Sequence, residues 1–176
     1  EPSGNSNGVR GLFSGGLQFF GGGSGSNSAF NNIDYVTIAS TGNATDFGDL
    51  TKTVYDCGGI SNSIKALYAG GATYPANVNT SVIDTVNFNT TGNATDFGDL
   101  VTAVRTNAGA SNGHGGLDVG VQLPSVTYMP GSGRGFINPG TNSGGSGGSI
   151  DRIQMIFVPT LGNALDFGNL TVARQL

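Results

Sequence analysis

A ten-residue block written three times limits what this chain can become. Thr41 to Leu50 reads TGNATDFGDL, Thr91 to Leu100 repeats all ten letters fifty residues later, and Leu161 to Leu170 (LGNALDFGNL) keeps seven of them. Each block follows an alternating apolar run: Ile33-Asp34-Tyr35-Val36-Thr37-Ile38, Ile83-Asp84-Thr85-Val86-Asn87-Phe88 and Ile153-Gln154-Met155-Ile156-Phe157-Val158. β-Branched and aromatic residues at near period 2 read as strands. The Gly-Asn that follows is turn chemistry, because both residues tolerate positive φ. The next residues supply a large ring at one fixed place, so Phe47, Phe97 and Phe167 are read as structural anchors of the core.

The agreement extends downstream. Thr51 to Asn62 and Val101 to Asn112 are both twelve residues long, end in Ser-Asn, and lead into short apolar runs at Ala66 to Gly71 and Gly116 to Val121. The N-terminal Ser6-Asn7 and Gly11-Leu12-Phe13-Ser14-Gly15-Gly16 match them. Each unit therefore predicts four short antiparallel strands, named by their letters as GLFSGG, IDYVTI, TDFGDL and TVAR. The chain reads as one all-β repeat domain over residues 1–176, with repeat cores at about 8–50, 63–100 and 113–170. Four strands in roughly fifty residues suit a propeller blade. Propellers use roughly four to eight blades, so a β-trefoil or β-prism closed by three repeats is the alternative. Joining Thr171–Leu176 to Glu1–Asn7 gives a thirteen-residue connection ending in Ser-Asn, which fits either a closed ring or a head-to-tail contact with another molecule. The third copy is longer. Its Gly/Ser/Pro-rich insertion, 122–149, reads as a decorated loop, although Arg134 to Gly140 echoes Arg10 to Gly16.

Composition narrows the function. Charged residues make up 10% of the chain, against about 25% in ordinary domains. A net charge of −4 with scattered Lys and Arg argues against nucleic-acid binding. No apolar run approaches the roughly 20 residues that span a bilayer, so no membrane span is expected. The single cysteine, Cys57, excludes an internal disulfide and reads as a buried inert thiol rather than as a nucleophile paired with His114. Asp46-Phe47-Gly48 spells a kinase magnesium motif without the rest of a kinase. Asn43, Asp46 and Asp49 carry calcium-type oxygens, but side-chain hydrogen bonds that stabilise the turn are the expected role. Acidic residues sit at repeated positions, which is poor support for a glycosidase pair. No catalytic residue, metal ligand or cofactor is expected, and the chain is not read as an enzyme.

The Gly-Gly doublet, the IDYVTIASTGNATDFGDL stretch and the Ala-Arg that follows resemble the kelch-like repeat structural proteins of marine tailed phages, especially cyanophages. They are more distantly similar to kelch β-propeller repeats, whose tryptophan position is held here by Phe47, Phe97 and Phe167. The resemblance implies a structural virion protein, an appendage or surface component located in the extracellular particle. It would act through self-association or contacts with other virion proteins. A lectin-like adhesin that recognises a host surface polysaccharide is the alternative. Loop aromatics stack on sugars or protein neighbours, which makes Phe19, Phe20, Tyr74 and Tyr128, with Arg134, the candidate ligand or subunit contacts.

Overall fold

The computed structural model describes residues 1–18, 27–111, 133–138, 140–141 and 148–174, and every regular element among them is a strand. The first repeat holds β1 (Ser3–Ser6), β2 (Arg10–Ser14), β3 (Leu17–Gln18), β4 (Ser28–Ala29), β5 (Asn32–Thr37) and β6 (Thr45–Asp49). The second holds β7 (Val54–Tyr55), β8 (Gly58–Ser61), β9 (Lys65–Ala69), β10 (Ala72–Thr73), β11 (Val78–Asn79), β12 (Val82–Asn87) and β13 (Thr95–Asp99). The third holds β14 (Ala108–Ser111), β15 (Arg134–Asn138), β16 (Ile150–Phe157) and β17 (Leu165–Arg174). Three antiparallel four-stranded sheets result, ordered β1-β2-β5-β6, β8-β9-β12-β13 and β14-β15-β16-β17.

Two strand assignments made from sequence are corrected. The extra strand of each sheet is the small-residue segment before the Ser-Asn, not the TVAR segment. In the first two repeats that later segment is a crossover, with Val54–Tyr55 pairing only to β10 and Arg105 forming an isolated bridge to Thr141. Ser-Gly-Asn-Ser and Ala-Gly-Ala-Ser carry no apolar alternation, so the pattern could not reveal them. They are small because the first strands crowd together: a Cβ at Gly59 would meet the Ser3 Oγ at 2.7 Å. The second correction is Arg134 to Asn138. It is not part of a loop but the strand β15, in register with β16 as β2 is with β5. Gly116 to Val121, assigned to that place from sequence, lies outside the described residues.

The Ser-Asn signal has a local cause. The Asn7 Oδ1 accepts from the N–H groups of Val9 and Arg10, and the Asn62 Oδ1 does the same for Ile64 and Lys65, closing the hairpins that follow β1 and β8.

The core lies between sheets. Leu12, Ile33, Phe47 and Leu50 of the first sheet pack on Tyr68, Val86, Phe88 and Ala94 of the second. Leu67, Ile83, Phe97 and Leu100 of the second pack on Ile137, Ile156, Val158 and Ala164 of the third. The middle sheet is thus buried on both sides, and β9 is buried from Ala66 to Ala69. Phe47 and Phe97 are 2% and 3% exposed, whereas Phe167 is 55% exposed and stacks edge-on to Phe136 within its own sheet. Among the described residues, no neighbouring sheet covers Phe167. Among the described residues, the outer faces of the first and third sheets carry exposed or half-buried apolar side chains, and the sheets form no closed barrel.

Burial predicts the cost of losing each ring. Phe97→Ala should destabilise the protein by about 3–5 kcal/mol. Phe167→Ala in dilute protein should cost about 1 kcal/mol or less, as exposed sites do. Urea unfolding of both variants checks this, and equal losses would contradict the assigned packing.

Candidate functional site

The repeated block builds one contact, used twice. In β6, Ile33 pairs with Gly48 and Asp34 with Asp46, leaving Phe47 as the extra residue of a β-bulge. Phe97 and Phe167 are bulged in the same register. A bulge re-aims a side chain, and here it turns Phe47 and Phe97 toward the next sheet. The glycine after each ring has φ near +150° (Gly48 146°, Gly98 151°, Gly168 147°), a region that side chains disfavour. An aspartate two residues earlier accepts its N–H at 3.0–3.1 Å: Asp46 for Gly48, Asp96 for Gly98 and Asp166 for Gly168. Asp46 thus has the turn-stabilising role expected of it.

The next sheet's Gly-Asn-Ala turn sits on that bulge. Gly92 N–H donates to the Phe47 carbonyl at 2.7 Å, Ala94 N–H to the Asp49 carbonyl at 2.7 Å, and Asp49 N–H to the Asn93 Oδ1 at 3.1 Å. The second interface repeats this: Gly162 N to Phe97 O at 3.0 Å, Ala164 N to Asp99 O at 2.8 Å, and Asp99 N to Asn163 Oδ1 at 3.0 Å. A Cβ at Gly98 would stand 2.5 Å from the Gly162 carbonyl oxygen, so only glycine admits the turn.

A second link lies alongside. Thr51 donates its N–H and its hydroxyl to the Asp84 carboxylate at 3.0 and 2.7 Å, and Thr102 N–H donates to the Gln154 Oε1 at 3.1 Å. Basic residues opening the second strands also reach across, Arg10 to the Phe88 carbonyl at 2.6 Å and Lys65 to the Pro159 carbonyl at 3.2 Å. Sequence reasoning did not assign Asp84, Gln154 or the turn asparagines to sheet contacts. The third block held a signal for the turn. Of the seven letters it keeps, the Asn, Ala, Phe, following Gly and Leu make the contact through a side chain or its lack, and the Asp caps the N–H of that Gly. The three it changes (Leu161, Leu165 and Asn169) are exposed positions.

The open faces carry the same residues without the partner. On the third sheet, Phe136, Ile153, Phe167 and Leu170 line an apolar hollow of about 450 Å³. On the first sheet, Phe13 and Ile38 are 50% and 51% exposed, and Ala44 is exposed where its equivalents Ala94 and Ala164 are buried.

Among the other candidate contacts, Phe19, Phe20 and Tyr128 lie outside the described residues. Tyr74 is half-buried between β10 and β11, ahead of a cis Tyr74-Pro75 bond, and Arg134 is half-buried at the start of β15. A polar knot the sequence did not suggest joins two crossovers: the Arg105 guanidinium donates to Asn77 Oδ1 and to the Tyr55 hydroxyl, which itself donates to Asn77. Cys57 is buried in the first inter-sheet cluster, and His114 lies outside the described residues. No three or more His, Cys, Asp or Glu side chains gather as a metal site among the described residues. No helix among them is long and apolar enough to cross a membrane. No protein-family model matches the chain, and no curated protein matches it.

Two titrations report on the contact. Burial pushes the Cys57 thiol up to about 11, with hydrogen bonding to the backbone and to Ser3 opposing it. Iodoacetamide at pH 8 should therefore leave Cys57 unmodified in the folded protein and alkylate it in denaturant. Rapid labelling of the native state would mean that the interface opens. Burial also raises the Asp84 carboxyl above its usual range, against the pull of the Thr51 hydrogen bonds. A carboxyl with a raised folded pKa adds stability that is full below its unfolded pKa and is lost as pH rises through the folded value. Wild type should gain stability relative to Asp84→Asn as pH falls from 7 toward 4. Parallel melting-temperature profiles for the two proteins would refute this.

Proposed function

We propose that the chain is a structural protein of the kelch-like kind, a virion component whose three repeats are propeller-like blades and whose work is to pack against protein neighbours. One observation carries this reading. The recurrent side chains of the decapeptide are spent on sheet-to-sheet contact, and both end faces of the stack present that contact to solvent. The carboxylates of the repeat support the same role. Asp46, Asp96 and Asp166 cap backbone N–H groups, and Asp84 holds the neighbouring crossover. Large exposed apolar faces on soluble proteins mark interaction sites. Sheets of four antiparallel strands, whose first strands crowd together, are what a blade of the resembled repeats requires.

The test is the content of purified particles. Peptides of this chain should be enriched in gradient-purified virions, and antibody should label the particle surface. A chain confined to the lysate of infected cells would sink the virion role. Saturable binding on a glycan array, lost on Phe20→Ala or Tyr128→Ala, would replace packing with the lectin-like alternative.

A further inference from the structure

The two internal interfaces define what each open face fits, and we infer that a second copy of this chain docks head to tail, its first sheet covering the third sheet of the copy before it. This rests on the packing role proposed above and names the partner. The apolar sets correspond position by position. Phe136, Ile153, Phe167 and Leu170 on the third sheet stand where Leu67, Ile83, Phe97 and Leu100 stand on the second. Phe13, Val36, Ile38 and Ala44 on the first sheet stand where Tyr68, Val86, Phe88 and Ala94 receive Phe47. Both sets are uncovered or half-covered, while their equivalents inside the stack are buried.

The backbone corresponds as well. Gly168 holds the same φ as Gly48 and Gly98, and the same aspartate bond fixes it. Against Gly48 and Gly98 the next turn's carbonyl is packed; against Gly168 nothing lies within 4 Å. Gly42-Asn43-Ala44 is the remaining Gly-Asn-Ala turn of the repeat block, and its Ala44 is exposed where Ala94 and Ala164 are buried. Docking gives Gly42 N–H the Phe167 carbonyl, Ala44 N–H the Asn169 carbonyl, and Asn169 N–H the Asn43 side-chain oxygen, matching the two internal sets. Asp34, exposed on β5, occupies the place of Asp84 and Gln154 and faces the Thr171 region of the neighbour. The interface joins unlike faces. Such a heterologous contact propagates until it closes a ring or grows a filament.

Two exposed substitutions test it, each removing one face while leaving the internal core untouched: Phe167→Asp on the donating side and Ile38→Asp on the receiving side. Circular dichroism confirms that both remain folded. By sedimentation and light scattering, wild type should have a mass that is a multiple of 17.7 kDa. Each variant alone should be monomeric, with association weakened about tenfold or more by a charge placed in an apolar contact. A one-to-one mixture should form a dimer, because one intact pair of faces remains. A wild type that stays monomeric at high concentration, or a mixture that stays monomeric, overturns the proposal. So does an Ile38→Asp protein that still associates fully, which would mean that like faces meet. Copies that pair this way yet are missing from particles would leave this inference standing and remove the virion role. A monomeric chain found in particles would do the reverse.

Discussion

The fold depends on one backbone contact: the carbonyl of a Gly-Asn-Ala turn lying against a bulged Phe-Gly step of the preceding sheet. The bulge and the glycine act together. The extra residue lets the phenylalanine leave the pleat and cross to the next sheet, and the missing Cβ lets that sheet come close enough to receive it. Without the approach the ring has no cavity; without the ring the two backbones have little apolar surface to hold them together. Burying each phenylalanine contributes roughly 1.5–3 kcal/mol. The polar bonds around it add little net energy each but would be costly to leave unmade once buried.

Those polar groups explain how a chain with so few charges holds its sheets in register. Apolar surface is not directional and would tolerate a slide of one sheet across the next. The Asn93 and Asn163 side chains, each accepting a single N–H, fix the lateral position. Asp84 and Gln154 fix it again from the crossover side. Each carries a burial penalty, the aspartate in its charge and the glutamine in an Nε2 buried without a hydrogen-bond partner, and what the two share is an acceptor oxygen. Arg10 and Lys65 likewise reach backbone carbonyls, not carboxylates. Ionisable groups in this protein serve mainly as hydrogen-bonding arms.

The middle sheet shows what a satisfied repeat looks like, and the outer sheets differ from it mainly in what covers them. Its two faces meet unlike surfaces, one offering the bulged ring and the other the receiving turn. That asymmetry gives the stack a direction, and it makes the exposed ends complementary to each other rather than to themselves.

Much of this was legible in the sequence, though unevenly. The repeat block, the alternating run before it and the turn between them established all-β structure, because period 2 and Gly-Asn chemistry act locally. The first strands escaped notice, since Ser3–Ser6 and Ala108–Ser111 are small for steric reasons set by another sheet. The strand at Arg134–Asn138 looked like part of a loop because a long insertion separates it from its hairpin partner in sequence, not in space. Identical letters suggested identical roles for Phe47, Phe97 and Phe167. Only tertiary structure decided that two are buried and one is exposed, because burial depends on whether a neighbouring sheet is present. The sequence by itself determined the shape of each contact surface, through bulge, glycine and turn. Which surfaces meet was decided by the order in which the sheets stack.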